Sequence, residues 1–332
     1  LFLGITMGTL IAMSSHHWVM AWVGLELNTL AILPIISKTK HQRTIEASTK
    51  YFLTQAIASC LMLSSSIINA LLTGNWDTTQ MDNKYTATMM TIALAMKSGA
   101  VPLHFWLPEV MQGSTLSTAL LIATWQKLAP MALLYLMSKH IQPGIAMTLG
   151  ALSTMFGGWG GMNQTQLRKM MAYSSITNLG WTLSVIVYEP NTSMVSIMTY
   201  ITILVPTFIL MISLSAKTLQ NVSVSWTVSP TATTALMLLL LSTAGLPPLT
   251  GFLPKLLILK ELMTQSLTPI ATFITMTSLL NLMFYLRTTY LTTLLAPPTS
   301  TTSMMKWRLS VNMTKWTFAT PTSIMSLTAL PA

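Results

Sequence analysis

Apolar runs follow one another along most of this 332-residue chain, with only short polar segments between them. A run of about 20 apolar residues is long enough to cross the hydrocarbon core of a bilayer as an α-helix. The pattern therefore predicts eleven transmembrane helices, of which the first is short. The predicted helices span residues 1–15, 18–36, 45–72, 85–111, 116–137, 141–156, 167–187, 193–214, 231–263, 267–290 and 316–330.

Composition agrees with a membrane protein and excludes a typical soluble enzyme. Hydrophobic residues make up 52% of the chain, charged residues 7%, and the mean hydropathy is +0.61. Soluble domains carry about 25% charged residues. Because lipid offers no hydrogen bonds to the backbone, each apolar run has to form them internally as a helix. We expect an all-α, polytopic membrane protein with little chain left for a soluble domain.

Sequence motifs argue against bound groups in this chain. The single cysteine, Cys60, excludes a disulfide framework, and the five histidines show no metal-ligand spacing. The segment GGWGG at 157–161 lacks the lysine and hydroxyl of a phosphate-binding loop. Basic residues are scattered between apolar runs instead of forming a nucleic-acid-binding stripe. We therefore expect no metal, no cofactor and no nucleic acid.

The formal net charge of +10 is unevenly distributed between the two ends of the predicted helices. Positively charged loops stay on the cytoplasmic or organelle-interior side of a membrane. The N-terminus is therefore predicted on that side of the membrane. We also expect a few residues to precede Leu1, because the chain begins without methionine. Loops on the N-terminal side carry Lys38, Lys40, Arg43, Arg168, Lys169, Lys217, Lys306, Arg308 and Lys315, and loops on the other side carry Lys84, Lys139, Asp77, Asp82 and Glu189.

Two segments rich in glycine and proline interrupt apolar runs in related ways. GAVPLHFWLPE at 99–109 and GLPPLTGFLPK at 245–255 agree at five of eleven positions and fall inside predicted helices 4 and 9. Because both residue types break helices, helices 4 and 9 are predicted to be discontinuous. Two units of five helices, an odd number, would form an inverted repeat. The predicted units are 1–137 and 138–290, followed by a loop and a C-terminal transmembrane helix in 291–332; two kinks similar by chance are the alternative.

Some charged residues lie deep within apolar spans, where an isolated charge costs about 2.5–3.5 kcal/mol. Lysines near helix ends are expected to reach the interface by snorkelling instead, namely Lys50, Lys84 and Lys260. For the deep residues we favour a functional role, although Glu26 has the alternative of a structural ion pair or a protonated carboxyl. The deep residues are Glu26, Lys97, Lys127 and Lys255.

A carboxylate beside a buried lysine can control whether that lysine holds a proton. Burial disfavours the ammonium and a nearby carboxylate favours it, so a change in their separation loads or unloads a proton. Lys97 is the candidate partner of Glu26. His104 either shuttles protons at the first break or fills it as a hydrogen-bonding plug, and Gln126 is expected to pack and hydrogen-bond. The predicted mid-membrane proton relay is Glu26, Lys97, Lys127 and Lys255, bridged by water.

Several longer motifs resemble one protein family over nearly the whole chain. The motifs are KYFLTQ at 50–55, ALAMKSGAVPLHFWLPEVMQG at 93–113, TWQKLAP at 124–130, GGWGGMNQTQLRKMMAYSSI at 157–176 and GLPPLTGFLPK at 245–255. Through them the chain resembles the antiporter-like membrane subunits of NADH:ubiquinone oxidoreductase, respiratory complex I, which are similar to Mrp-type cation/proton antiporters. Abundant methionine and threonine also resemble a vertebrate mitochondrially encoded protein.

The resemblance implies a core membrane-arm subunit of a proton-translocating NADH:ubiquinone reductase in the mitochondrial inner membrane, with its N-terminus in the matrix. It places the family's proton path on the same four residues, Glu26, Lys97, Lys127 and Lys255. NADH, FMN, iron–sulfur clusters and ubiquinone are expected in partner subunits, so this chain would carry out no redox chemistry. Expected partners are neighbouring antiporter-like subunits, supernumerary subunits and membrane lipids.

Two other functions remain open from the sequence. The chain could act as a stand-alone cation/proton antiporter, or as a structural membrane spacer in which the buried charges are vestigial. Both alternatives predict the same apolar spans, so only the behaviour of the deep charges separates them from the proton relay.

Overall fold

The computed structural model describes residues 1–226 and 229–294, which are built of helices and short connections and contain no β-sheet. The predicted helix at 316–330 and most of the predicted segment 291–332 lie outside the described residues. The helices are α1 (Phe2–Ser14), α2 (Trp18–Ile36), α3 (Gln42–Thr73), α4 (Lys84–Ser98), α5 (Trp106–Gly113), α6 (Leu116–Ala123), α7 (Trp125–Leu136), α8 (Pro143–Gly161), α9 (Leu167–Val185), α10 (Pro190–Ser213), α11 (Leu219–Ser225), α12 (Pro230–Ala244), α13 (Phe252–Thr264) and α14 (Thr268–Leu294).

Each of the first ten predicted helices has a helical counterpart, and α2 begins and ends as predicted. The short α11 was not predicted. Helices α1 and α12 are apolar but shorter than a full span, so the number of spans remains a prediction. Among the described residues, the segments long and apolar enough to cross a membrane are Trp18–Thr39, Gln42–Thr73, Leu116–Leu136, Pro190–Ser213 and Thr268–Leu294.

Both predicted helix breaks are present and have the same backbone construction. Gly99 ends α4 with φ 90° and Gly245 ends α12 with φ 85°, a left-handed conformation that glycine adopts without steric cost. The next N–H, of Ala100 or Leu246, reaches back to the carbonyl five residues earlier. This is the Schellman closure of a helix C-terminus. Predicted helix 4 is therefore α4 and α5, and predicted helix 9 is α12 and α13.

Predicted helix 5 was expected to be continuous over 116–137, and the structure corrects this. Thr124 has φ −110° and ψ −70°, and it separates α6 from α7. Pro130 lies inside α7 and has no N–H to donate to the carbonyl four residues before it, which weakens the first turn of the helix. Lys127 consequently lies in the first turn after a break instead of in the middle of a helix.

Helix α9 occupies the centre of the fold. Fifteen of its 19 residues are buried, and it packs against α5, α6, α8, α10, α13 and α14. Its many hydroxyl groups donate to carbonyls of the preceding turn, as Ser174 does to Met171 and Ser175 does to Ala172. Such local hydrogen bonds allow polar residues inside a membrane protein. A polar helix can therefore run through the interior of this protein.

Five helix contacts in the first half of the described chain have counterparts in the second half. In the first half α1 packs on α2 and α7, α3 packs on α4 and α5, and α4 packs on α7. In the second half α8 packs on α9 and α14, α10 packs on α12 and α13, and α12 packs on α14. These five pairs correspond one to one, and the broken helices take the same place in each set.

Candidate functional site

Glu26 and Lys97 meet between α2 and α4. Lys97 Nζ lies 4.0 Å from Glu26 Oε1, with the lysine side chain 2% exposed and the carboxylate side chain 24% exposed. The second carboxylate oxygen accepts a 3.0 Å hydrogen bond from Thr29 Oγ1. The Lys97 ammonium makes no hydrogen bond to the described residues. The pair is thus held by charge attraction across a gap and not by direct hydrogen bonding.

The carbonyl groups at the end of α4 are supported by other helices. Gln55 on α3 donates its side-chain amide to the Lys97 carbonyl at 3.4 Å. The Trp106 indole on α5 donates to the Met96 carbonyl at 3.3 Å. Carbonyls at a helix C-terminus have no partner within the helix, so these contacts hold the broken end in place.

Gln126 connects three helices beside this ion pair. Its amide nitrogen donates to Asn28 Oδ1 at 2.7 Å, and its oxygen accepts from the Tyr51 hydroxyl at 3.3 Å. Asn28 lies on α2 just after Glu26, and Lys127 follows Gln126 directly in sequence. The bridge therefore fixes the start of α7 relative to the helix that carries the carboxylate.

Lys127 is 3% exposed and points towards the central helix α9. Its Nζ donates to the Ser175 carbonyl at 3.2 Å and lies 5.3 Å from the centre of the Tyr200 ring. Such a distance permits a cation–π contact. In residues 1–226 and 229–294, Lys127 has no ion-pair partner.

Lys255 is 7% exposed and lies in the first turn of α13. Its Nζ donates to the carbonyl of Ala244, the last residue of α12, at 2.5 Å, and lies 5.8 Å from the centre of the Trp181 ring. Like Lys127, it has no ion-pair partner within the part of the chain that the structure describes.

A small cavity opens beside Lys255, and we call it the central cavity. It measures about 20 Å³, compared with the roughly 10–15 Å³ that one water molecule needs. Polar side chains from α9, α10 and α12 contribute to its wall. Its lining includes Asn178, Tyr200, Ser242, Thr243 and Lys255.

His104 is buried at the first break but stands apart from the lysines. Its ring lies 4.3 Å from the Phe105 ring and 6.1 Å from the Phe156 ring, centre to centre. Its Nδ1 lies 3.3 Å from the Pro102 carbonyl. These contacts suit a plug in the break, and a proton-shuttling role for His104 stays a prediction.

The lysines expected to snorkel are arranged differently from the deep ones. Lys50 forms ion pairs of 2.5 Å with both Glu46 and Glu109, and its side chain is 40% exposed. Lys260 is exposed on α13, one turn beyond Lys255. The pair between Lys50 and Glu109 ties α3 to α5 at the surface.

No group of metal-ligating side chains occurs within the described ranges.

The sequence of most of this fold matches a known membrane family. Residues 15–281 match the family described as "NADH:quinone oxidoreductase/Mrp antiporter, TM". The match covers the ion pair, Lys127, Lys255 and both helix breaks. The chain belongs to this family of antiporter-like membrane proteins.

Within the family, two relatives that match nearly the full length carry the same name. NADH-ubiquinone oxidoreductase chain 2 of Varanus melinus is 51% identical over 324 residues, covering 98% of this chain and 94% of the relative. The protein of the same name from Gallus gallus is 49% identical over 328 residues, covering 98% and 93%.

Solved structures share the fold at lower sequence identity. A chain of respiratory complex I from Thermus thermophilus superposes with a TM-score of 0.85 and 24% identity, over 98% of this chain and 75% of that one. A chain of the Mrp complex from Dietzia sp. DQ12-45-1b gives a TM-score of 0.77 and 16% identity, over 86% and 58%. The antiporter-like helical fold is therefore common to both kinds of complex.

Proposed function

We propose that this chain is a core membrane-arm subunit of respiratory complex I in the mitochondrial inner membrane, and that it translocates protons. NADH oxidation and ubiquinone reduction would take place in partner subunits, which carry the FMN and iron–sulfur clusters. The family match and the two full-length relatives support the assignment to this complex. The proposed relay residues are Glu26, Lys97, Lys127 and Lys255.

The observation that carries the proposal is the burial of three lysines, each next to a helix break. Lys97, Lys127 and Lys255 are between 3% and 7% exposed. A lysine inside a membrane costs about 2.5–3.5 kcal/mol when isolated. A folded protein keeps such residues where broken helices supply free carbonyls and access for water. A purely structural element would be more stable with apolar residues at these positions.

The ion pair supplies a means of changing proton affinity. Two opposite charges 4 Å apart attract with about 4 kcal/mol at an effective dielectric constant of about 20, and with about half as much at twice the distance. A movement of the Lys97 ammonium by about 4 Å away from Glu26 therefore loosens its hold on the proton by about 2 kcal/mol. Redox-driven changes in neighbouring subunits would then release the proton towards Lys127.

We further propose that residues 1–137 and 138–290 are two inverted repeats. The matching helix pairs and the identical glycine closures of α4 and α12 support this division. Because each unit holds five predicted spans, an odd number, the second would cross the membrane in the opposite sense. The excess of lysine and arginine in loops on the N-terminal side supports an N-terminus in the matrix.

A stand-alone cation/proton antiporter is the second candidate, since the chain shares its fold with a protein of an Mrp complex. That function predicts ion exchange by the purified chain alone in liposomes. A structural spacer predicts that the buried charges affect assembly only. Measuring ion exchange by the isolated chain and proton pumping by the whole complex separates these three functions.

The test compares two lysines on the same helix. Lys255→Met in the assembled complex is expected to abolish most proton pumping coupled to NADH oxidation, because the amine is lost from the buried site. Lys260→Met removes an exposed lysine from α13 and is expected to pump normally. Equal pumping by both variants, with normal assembly, would contradict the proposed function.

A further inference from the structure

A wide cavity with basic walls lies at the helix ends that are predicted to face the matrix, and we call it the basic cavity. It measures about 670 Å³, within the range of roughly 300–1,000 Å³ typical of small-molecule sites. Arg43, Arg168 and Lys217 contribute to its wall, and none of the described residues that line it is acidic. The proposed proton relay uses none of these three residues.

Backbone contacts bring the three basic residues together. Helix α5 ends at Gly113, where a Cβ would lie 2.7 Å from the Arg43 carbonyl oxygen, so the chain passes very close to the start of α3. The Leu167 N–H, at the start of α9, donates to the Lys217 carbonyl at 3.2 Å. Arg168 follows Leu167 directly. The fold therefore fixes all three residues around one opening.

The positive charge of the basic cavity is not neutralised by acidic side chains. Within residues 1–226 and 229–294, none of its three basic residues forms an ion pair. Arg43 also lines a neighbouring cavity, where Glu46 and Glu109 both pair with Lys50. Like charges that are held close together repel each other. A cluster of this kind therefore indicates an anionic partner.

Arg168 has a hydrogen-bond donor available for such a partner. Its Nη1 donates to the carbonyl of Ser114, the residue that caps the end of α5. Its Nε is buried and has no hydrogen-bond partner in the described part of the chain. A buried donor without a partner is costly. The planar guanidinium matches the geometry of phosphate oxygens, so a phosphate group is a suitable acceptor.

Three helices begin at the wall of the basic cavity. Gln42 is the first residue of α3, Leu116 is the first residue of α6, and Arg168 is the second residue of α9. The N-terminus of a helix carries partial positive charge and free N–H groups. Phosphate groups bind at such helix ends. The helix ends and the basic side chains therefore favour the same ligand.

We propose that the basic cavity binds a phosphate group, held by Arg168, Lys217 and Arg43, and that this group links the N-terminal ends of α3, α6 and α9. The phosphate belongs either to the headgroup of an anionic phospholipid or to a free phosphate ion, and both present the same oxygens to the site. The inference is independent of the proton relay, so its failure would leave the proposed function unchanged.

The test measures ligand binding to the assembled complex, purified in phosphate-free buffer. One probe is radiolabelled inorganic phosphate, and the other is short-chain phosphatidylglycerol added in detergent. Binding to each variant is compared with binding to the unmodified complex, so that sites elsewhere in the complex cancel. Lys217→Gln is expected to weaken binding at this site by about fivefold. Arg168→Gln is expected to weaken it by about tenfold, because a charged hydrogen bond is lost as well.

Lys38→Gln is the matched control. It removes one positive charge from the same predicted side of the membrane, but Lys38 does not line the basic cavity. Its binding is expected to equal that of the unmodified complex. Equal losses in Lys38→Gln and Lys217→Gln would show a general effect of surface charge and overturn the inference. Unchanged binding of both probes to Lys217→Gln would overturn it too.

Lys217→Gln carries the test alone if Arg168→Gln fails to assemble. The Lys217 side chain makes no ion pair with the described residues and is exposed, so its replacement should not disturb folding. A loss of inorganic phosphate binding in this variant supports a free ion as the ligand. A loss confined to phosphatidylglycerol supports a lipid headgroup.

A second measurement requires no substitution. An experimental density map of the unmodified complex is expected to show tetrahedral density within hydrogen-bonding distance of the Arg168 guanidinium and near the Lys217 ammonium. An acidic side chain of a partner subunit in that position, or an empty basic cavity, would overturn the inference.

Discussion

The two helix breaks share a backbone and differ in the position of their charges. In the first, Lys97 precedes the glycine by two residues and faces Glu26 at 4.0 Å. In the second, Lys255 follows the glycine by ten residues, and its described contacts are a carbonyl and an aromatic ring. The residue aligned with Lys255 in the first break is Glu109, which forms a surface ion pair with Lys50.

Both lysines are associated with the helix end that precedes a break, Lys97 by its place in sequence and Lys255 by a hydrogen bond. Lys97 lies in the last turn of α4, and Lys255 reaches back to the last carbonyl of α12. Helix C-termini carry partial negative charge and attract cations. In the second unit the broken helix itself supplies the contact for the amine, whereas in the first unit a carboxylate on another helix faces it.

The largest effect is expected where the second break packs most tightly. A side chain on Gly251 would place its Cβ 1.8 Å from the Ser242 carbonyl oxygen. Gly251→Ala should therefore cost more than the roughly 1–3 kcal/mol typical of overpacking and prevent stable assembly. The aligned residue of the first break, Phe105, is 70% exposed, so Phe105→Ala should assemble normally. The amount of each variant in the purified complex measures the difference, and equal amounts would contradict it.

An intermediate effect is expected from removing the carboxylate that distinguishes the first break. Glu26→Gln leaves Lys97 buried without its anionic partner. We expect a loss of about 3 kcal/mol in stability, the lower end for a broken buried ion pair, because the Glu26 side chain is a quarter exposed. Glu109→Gln breaks only the surface pair with Lys50 and should have little effect. Thermal inactivation and coupled proton pumping check both, and a larger loss in Glu109→Gln would refute the assignment.

The smallest effect is expected at the hydrogen-bonded bridge beside the first ion pair. Gln126→Leu leaves the Tyr51 hydroxyl and Asn28 Oδ1 without their partner, which should cost about 1–3 kcal/mol and slow pumping moderately through a displaced Lys127. Gln80→Leu is the control, because Gln80 is exposed. The hydrogen bond that its side-chain oxygen accepts from Asn75 can be replaced by one from water. Identical thermal inactivation of the two variants would show that the bridge does not stabilise this region.

The fold could be predicted where local residue chemistry determines it. The bounds of α2 followed from its apolar run, and both predicted breaks followed from glycine and proline in apolar helices. The break at Thr124 was missed because no glycine marks it, and Pro130 lies six residues further along. The signal was present, since a proline inside a helix leaves a carbonyl free one turn before it.

The candidate site could be predicted only in part, because local residue chemistry marks some of its residues and not others. The deep lysines and Glu26 could be identified from the sequence, because a charged side chain in an apolar span costs free energy. Tyr200 and Asn178 carry no charge, and their positions beside the buried lysines come from contacts between helices that no local pattern specifies. Buried polar residues in apolar helices were the only available hint.

The glycine that ends α12 has a further consequence for which changes this protein can accept. A methyl group on Gly245 would lie 2.7 Å from the Lys255 ammonium nitrogen, in addition to the left-handed backbone angle at that residue. At Gly99 the same methyl group would meet Leu107 at 2.6 Å and no charged group. Inherited substitutions at Gly245 therefore damage the backbone and displace the amine together, so this residue is as restricted as a catalytic one although it takes no part in the chemistry.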